Sequence, residues 1–185
     1  GFDLLCKRPN NGNTLAVFLM NRGTASLCKG DFGLALTIYH EVLRGERGVA
    51  RAVFKLKGDV FRARCADALA AYGDLDAAEQ MLAMQKSHQL EARLGFELFA
   101  RSVVALRRGQ TQEAWAQLET NWHHAEATFS AAEFKLLVVL RAFAAAQLQD
   151  SPKAVQGAGP TAQDLQRHQW LGTHWPEMAE FLRPA

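Results

Sequence analysis

The chain has 185 residues, 49% of them hydrophobic, a formal net charge of +2 and three cysteines. That is enough apolar material for one core or a short repeat array, and too little charge imbalance to indicate nucleic acid by itself. No stretch of about 18 apolar residues is free of charge, which argues against a membrane span. Cys6, Cys28 and Cys65 are odd in number and form no CxxC, which fits a reducing, cytoplasmic setting.

Residues 1–13 read as the end of a helix and a turn, Leu4-Leu-Cys-Lys-Arg-Pro-Asn-Asn11, so the chain is expected to be a piece of a longer protein. Asn13 or Thr14 can cap a first helix running from Leu15 to about Lys29, with Leu15, Phe18, Leu19 and Leu27 on one stripe. Gly30 ends it, Asp31 caps a second helix, and Phe32, Ala35, Leu36, Tyr39, Val42 and Leu43 follow at spacings of three and four. Gly45 and Gly48 loosen the connection to a long helix over 49–72, which is either broken at Gly58, with Asp59 as a fresh cap, or runs unbroken for about 36 Å. Gly73 stops that helix, and Asp74 caps a partner ending near Lys86.

Ser87 opens the next helix, Gly109 closes it, and Thr111 starts its partner. A looser stretch is expected at Asn121–Phe129. Ser130 with Glu133 forms a capping-box pattern before an apolar helix, Phe134–Leu148. Ser151-Pro152 reads as a cap with a first-turn proline, and Gly157-Ala-Gly-Pro160 as a linker. Thr161 and Asp164 form a further capping box, which opens two short helices over 162–171 and 176–182. No segment alternates with period two, so the chain reads as all-α.

The hinges at Gly30, Gly73, Gly109 and Gln149 lie roughly forty residues apart. Each is followed five positions later by alanine: Ala35, Ala78, Ala114 and Ala154. Each is preceded by a small residue: Gly23, Ala66, Ser102 and Ala142. This pattern over residues 14–156 resembles the tetratricopeptide repeat, in which small residues sit where the two helices of a hairpin touch. The spacings are longer and less even than the family's, and the closing prolines between repeats are missing. Long-helix repeats of this kind are similar to those in sensor segments of some bacterial regulators.

The resemblance implies a right-handed superhelix of antiparallel hairpins, three clear and a fourth degenerate, with 157–185 supplying a linker and capping helices. It also implies a concave groove lined by the first helix of each hairpin. By position Met20, Leu27, Phe96, Phe99, Leu106, Val139 and Phe143 line it, and this face is unusually apolar. An apolar face of that size is filled by a partner helix, by the chain's own tail, or by a second copy. The tail offers Trp170, Leu171, Trp175, Met178, Phe181 and Leu182 for that purpose.

Arg44, Arg47, Arg51, Lys55, Lys57, Arg62 and Arg64 crowd one segment, with Arg51, Lys55 and Arg62 on one helical face. They offer an anionic ligand or nucleic acid a basic stripe. The plainer reading is a solvated face whose long stems cover core edges, since no aromatic residues interleave for base stacking. His123 and His124 are adjacent, point about 100° apart on a helix and lack a third ligand, so no metal site is expected. His168 and His174, beside Trp170 and Trp175, meet the same objection. Cys28 and Cys65 read as inert core thiols. No GxSxG, HExxH, P-loop or GxGxxG occurs, and Asp74 and Asp76 are explained by the hinge.

The expectation is therefore a non-enzymatic interaction scaffold without cofactor, taking a protein or peptide segment in an apolar groove. A regulatory domain binding an anion through the basic stripe is the second reading, and a homodimeric self-association module the third.

Overall fold

The computed structural model describes residues 12–43, 51–83, 90–129, 131–148 and 159–183, with the backbone alone at 12–17, 42–43, 51–61, 90–96 and 132. Among the described residues the chain is all-helical, with nine α-helices, one 3-10 turn and no strand. These are α1 Gly12–Cys28, α2 Phe32–Leu43, α3 Arg51–Tyr72, α4 Leu75–Ala83, α5 Leu90–Arg107, α6 Thr111–Thr128 and α7 Ala131–Gln147. The tail follows as α8 Ala162–Arg167, the 3-10 turn Gln169–Gly172 and α9 Pro176–Phe181. No helix of the described residues is long and apolar enough to cross a membrane.

Three hinges divide α1–α6 into hairpins, and each is written locally in the chain. Gly30, Gly73 and Gly109 have φ of 77°, 114° and 74°, the left-handed region that costs glycine least. Their helices close on the carbonyls that the last turn leaves free. The amides of Asp31 and Gln110 donate back to Ser26 and Ala105 at 2.9 and 2.8 Å, and that of Asp74 donates to Leu69 at 3.0 Å. Asp31 and Asp74 then cap the next helices, accepting from the amides of Leu34 and Ala77 at 3.1 and 3.2 Å. Gln110 makes no such side-chain bond.

Small residues set the approach of the paired helices. Ala35, Ala66, Ala78, Ser102 and Ala114 are fully buried. At Gly23 a Cβ would stand 2.5 Å from the Tyr39 ring, so α1 and α2 approach as closely as they do because that atom is missing. The packing follows chain order, with α1 on α2, α2 on α3, α3 on α4, α5 on α6 and α6 on α7. The first helices also touch in succession: α1 meets α3, α3 meets α5, and α5 meets α7.

The sequence leaves a break at Gly58 open, and none is present: α3 runs unbroken for 22 residues. One interior glycine costs about 1 kcal/mol, which a long helix with hydrogen bonds on both sides absorbs. Nor is Asn121–Phe129 loose, since α6 continues to Thr128 and only Phe129 turns extended. Ala125 is buried there and Trp122 lies 4.9 Å from the Phe134 ring, so packing holds a segment of modest propensity in helix.

The tail begins as expected. Thr161 Oγ1 accepts from the Asp164 amide at 3.2 Å, and Asp164 Oδ2 accepts from the Thr161 amide at 3.1 Å. The expectations placed on residues 1–11, Gly45 and Gly48, Ser87, Ser130, and 149–158 (the fourth hinge with Ala154, Ser151-Pro152 and the linker) lie outside the described residues.

Candidate functional site

Most of the residues that the sequence assigns to a groove are buried in the protein's main core cluster, which also takes in the tail. Leu27, Phe99, Leu106, Val139 and Phe143 are buried in one core cluster with Trp170, Leu171, Trp175, Met178 and Leu182. Met20 is partly buried against that cluster, and the Phe96 side chain lies outside the described ones. The chain's own C-terminal segment packs against Phe99 and Phe143 of this set, and against Phe32 at the start of α2.

Aromatic contacts fix its position. The Trp170 ring stands 6.2 Å from Phe32 at the start of α2 and 6.4 Å from Phe99 on α5. Trp175 and Phe181 meet Phe143 of α7 edge-on at 5.1 and 5.4 Å. His174 lies edge-on between Phe32 and Tyr72. Each large side chain taken from water in this way contributes about 1.5–3 kcal/mol.

Polar tethers secure the two ends. Lys135 Nζ reaches Asp164 Oδ1 at 2.6 Å, which with the Thr161 bonds holds that carboxylate down to about 2. Arg107 sits at the other end. Its Nη1 donates to the last carbonyls of α3, Ala70 and Ala71, at 3.2 and 2.8 Å, and its Nη2 donates to the His174 carbonyl. Its guanidinium also lies 5.4 Å from the centre of the Trp175 ring. One side chain thus ties the ends of α3 and α5 to the tail. Among the described residues it forms no ion pair, unlike Arg64, Arg101, Arg108 and Arg141.

Two clefts flank α9. One of about 590 Å³ is lined by Tyr72, Gly73, Arg107, Thr173 and His174. The other, of about 330 Å³, lies between Phe143 and Gln147 of α7 and Glu177 and Phe181 of the tail.

A polar cluster interrupts the apolar first-helix face. Arg64 Nη1 meets Asp67 Oδ2 at 3.1 Å, and Nη2 meets Glu133 Oε1 at the start of α7. Asp67 is 1% exposed, and burial pushes its carboxyl up to about 7 against the opposing pull of Arg64. Beside it the Tyr39 hydroxyl bonds Thr24 at 3.1 Å, and burial raises its pKa. Arg64 therefore serves an internal network and is no part of a solvated basic face. Arg62 is partly buried, and the side chains of Arg51 and Lys55 lie outside the described ones.

The remaining candidates separate cleanly. Cys65 is buried and its thiol is pushed up to about 12 by that burial, which suits an inert core residue. Cys28 is exposed, so the expectation of a core thiol fails there. His123 and His124 are exposed, and His168 Nδ1 lies 2.7 Å from the Asp164 carbonyl. Among the described residues no three His, Cys, Asp or Glu side chains are grouped to hold a metal ion.

Arg107 and the Arg64–Asp67–Glu133 network were not singled out from the sequence. Both carry a signal. Arg107 is a cation in the last helical turn before a hinge glycine, a place that favours positive charge, although the carbonyls it meets belong to α3 and the tail. Asp67 is a lone carboxylate in the small-residue run Ala66-Asp-Ala68.

No protein-family model matches this sequence, and no curated protein or solved structure matches it.

Proposed function

We propose that the chain is a non-enzymatic protein-interaction module, a tetratricopeptide-like array of hairpins whose first helices form a groove for a partner's apolar helix. The hinge glycines, the buried alanines after them and the succession of touching first helices support the repeat reading. One observation carries the groove reading. The face formed by Phe99 and Phe143 already receives a helical segment through Trp170, Trp175 and Phe181. That contact supports helix-in-groove recognition of a partner. Arg64, in the basic segment beside the stripe of Arg51, Lys55 and Arg62, is taken up by internal ion pairs.

Selection of binders from a random helical-peptide display library against the whole chain tests the proposal, with affinity read by fluorescence polarisation at low and high salt. Aromatic-anchored peptides are expected, with affinity changing less than about threefold between ~0.05 and ~0.5 M salt. Failure to select any binder contradicts the proposal. So does enrichment of acidic peptides whose affinity collapses with salt, a result that favours Arg51, Lys55 and Arg62.

A further inference from the structure

We infer that residues 161–182 are a displaceable occupant of the groove, and that the partner which displaces them is an amphipathic helix with two aromatic anchors and an acidic residue beside them. This rests on the groove reading above and specifies its ligand.

The segment is poorly equipped to hold its own shape. Its helical elements are six, four and six residues long, well below the roughly 12–15 residues at which an isolated helix becomes even marginal in water. Its conformation is imposed by the face beneath it. At Gly172 a Cβ would stand 2.6 Å from the Ala179 backbone, so the 3-10 turn and α9 fold back tightly on each other.

The fit is also incomplete. The Trp170 indole N–H is buried and meets no acceptor among the described residues, a cost that a better-matched occupant avoids. Of the two clefts beside α9, the one of about 330 Å³ lies between Phe143 of the groove face and Glu177, Glu180 and Phe181 of the tail, so the six-residue helix leaves space at that end of the face.

Arg107 adds the charge preference. It is partly buried and bonded only to carbonyls, one of them the tail's own at His174. Glu177 is the carboxylate that most favours its charge, yet it forms no ion pair with it. Departure of the tail frees a guanidinium donor next to the Trp175 site. A partner carboxylate placed there gains a charge-assisted hydrogen bond that the tail does not make.

The test uses the whole chain and a fluorescein-labelled peptide of residues 159–183 as the probe. In the unmodified chain the tethered tail competes at an effective concentration on the order of millimolar, so the probe binds weakly. Trp175→Ala weakens the hold of the tail on α5 and α7 and is expected to tighten probe binding by about tenfold or more. Asp164→Asn, which loosens the Lys135 tether at the far end, is expected to give a smaller gain of about threefold. It also decides the matter if the Trp175→Ala chain loses its helical circular dichroism. Equal probe affinity in the unmodified chain and the folded variants overturns the inference. A display-selected peptide that binds the chain but is not competed by the 159–183 peptide also overturns it while leaving the groove reading intact. Absence of binding by either kind of peptide overturns both.

Discussion

Trp175→Ala is expected to lower the unfolding free energy by about 3–5 kcal/mol, read from the urea midpoint of the whole chain. The side chain is 4% exposed. It touches Phe143 edge-on, lies under Arg107 and occupies the position before α9, so its loss opens a cavity where three elements meet. The first-helix face beneath it is then left partly uncovered, and binding of an apolar dye to the folded variant should rise accordingly. A loss under about 1 kcal/mol contradicts the placement of the tail as part of the core.

Stability is expected to fall as pH rises from about 4 to about 7, and Asp67 is the cause. Burial raises its folded pKa to about 7, whereas the unfolded value is about 3.9. Between these values the folded chain holds a proton that the unfolded chain has lost, so raising the pH favours unfolding by up to about 1.4 kcal/mol per unit, and the curve flattens above 7. Arg64 opposes the effect and Glu133 reinforces it. Asp67→Asn keeps the shape without the titration and is expected to remove this slope. Asp164 acts in the opposite sense and in another window. Held down to about 2 by Lys135 and Thr161, its contribution is present above the usual carboxylate range and is lost only as pH falls below about 4. Urea midpoints at unit pH steps separate the two. A stability that climbs from pH 4 to 7 in the parent, and is lowered by Asp67→Asn, shows instead that the Arg64 pair outweighs burial.

What could be read from the sequence was the part that residues encode locally. A glycine in the left-handed region, an aspartate just after it and an alanine four residues further on specify a hinge within six positions. Gly30, Asp31 and Ala35 did so, as did Gly73, Asp74 and Ala78. The capping box of Thr161 and Asp164 belongs to the same short-range code. Propensity misled where packing decides, at Asn121–Thr128 inside α6, where Ala125 is buried and Trp122 meets Phe134.

The site was legible only in its materials. The sequence named an apolar face and an aromatic tail able to cover it, but which occupant wins is fixed by contacts between residues far apart in the chain. The pairing of Trp170 with Phe32 and of Trp175 with Phe143 is of that kind. So is the reach of Arg107 to His174, and of Arg64 across to Glu133, for which no spacing rule exists.

Hydrogen exchange of the whole chain, followed by mass spectrometry in low concentrations of urea, tests most directly whether the groove has a displaceable occupant. The account predicts that amides of α8, the 3-10 turn and α9 exchange through an opening of the tail alone, with a free energy and urea dependence below those of α3 and α5. Exchange of the tail at the same free energy and urea dependence as α3 and α5 would contradict it, because the segment would then leave the face only when the whole fold is lost.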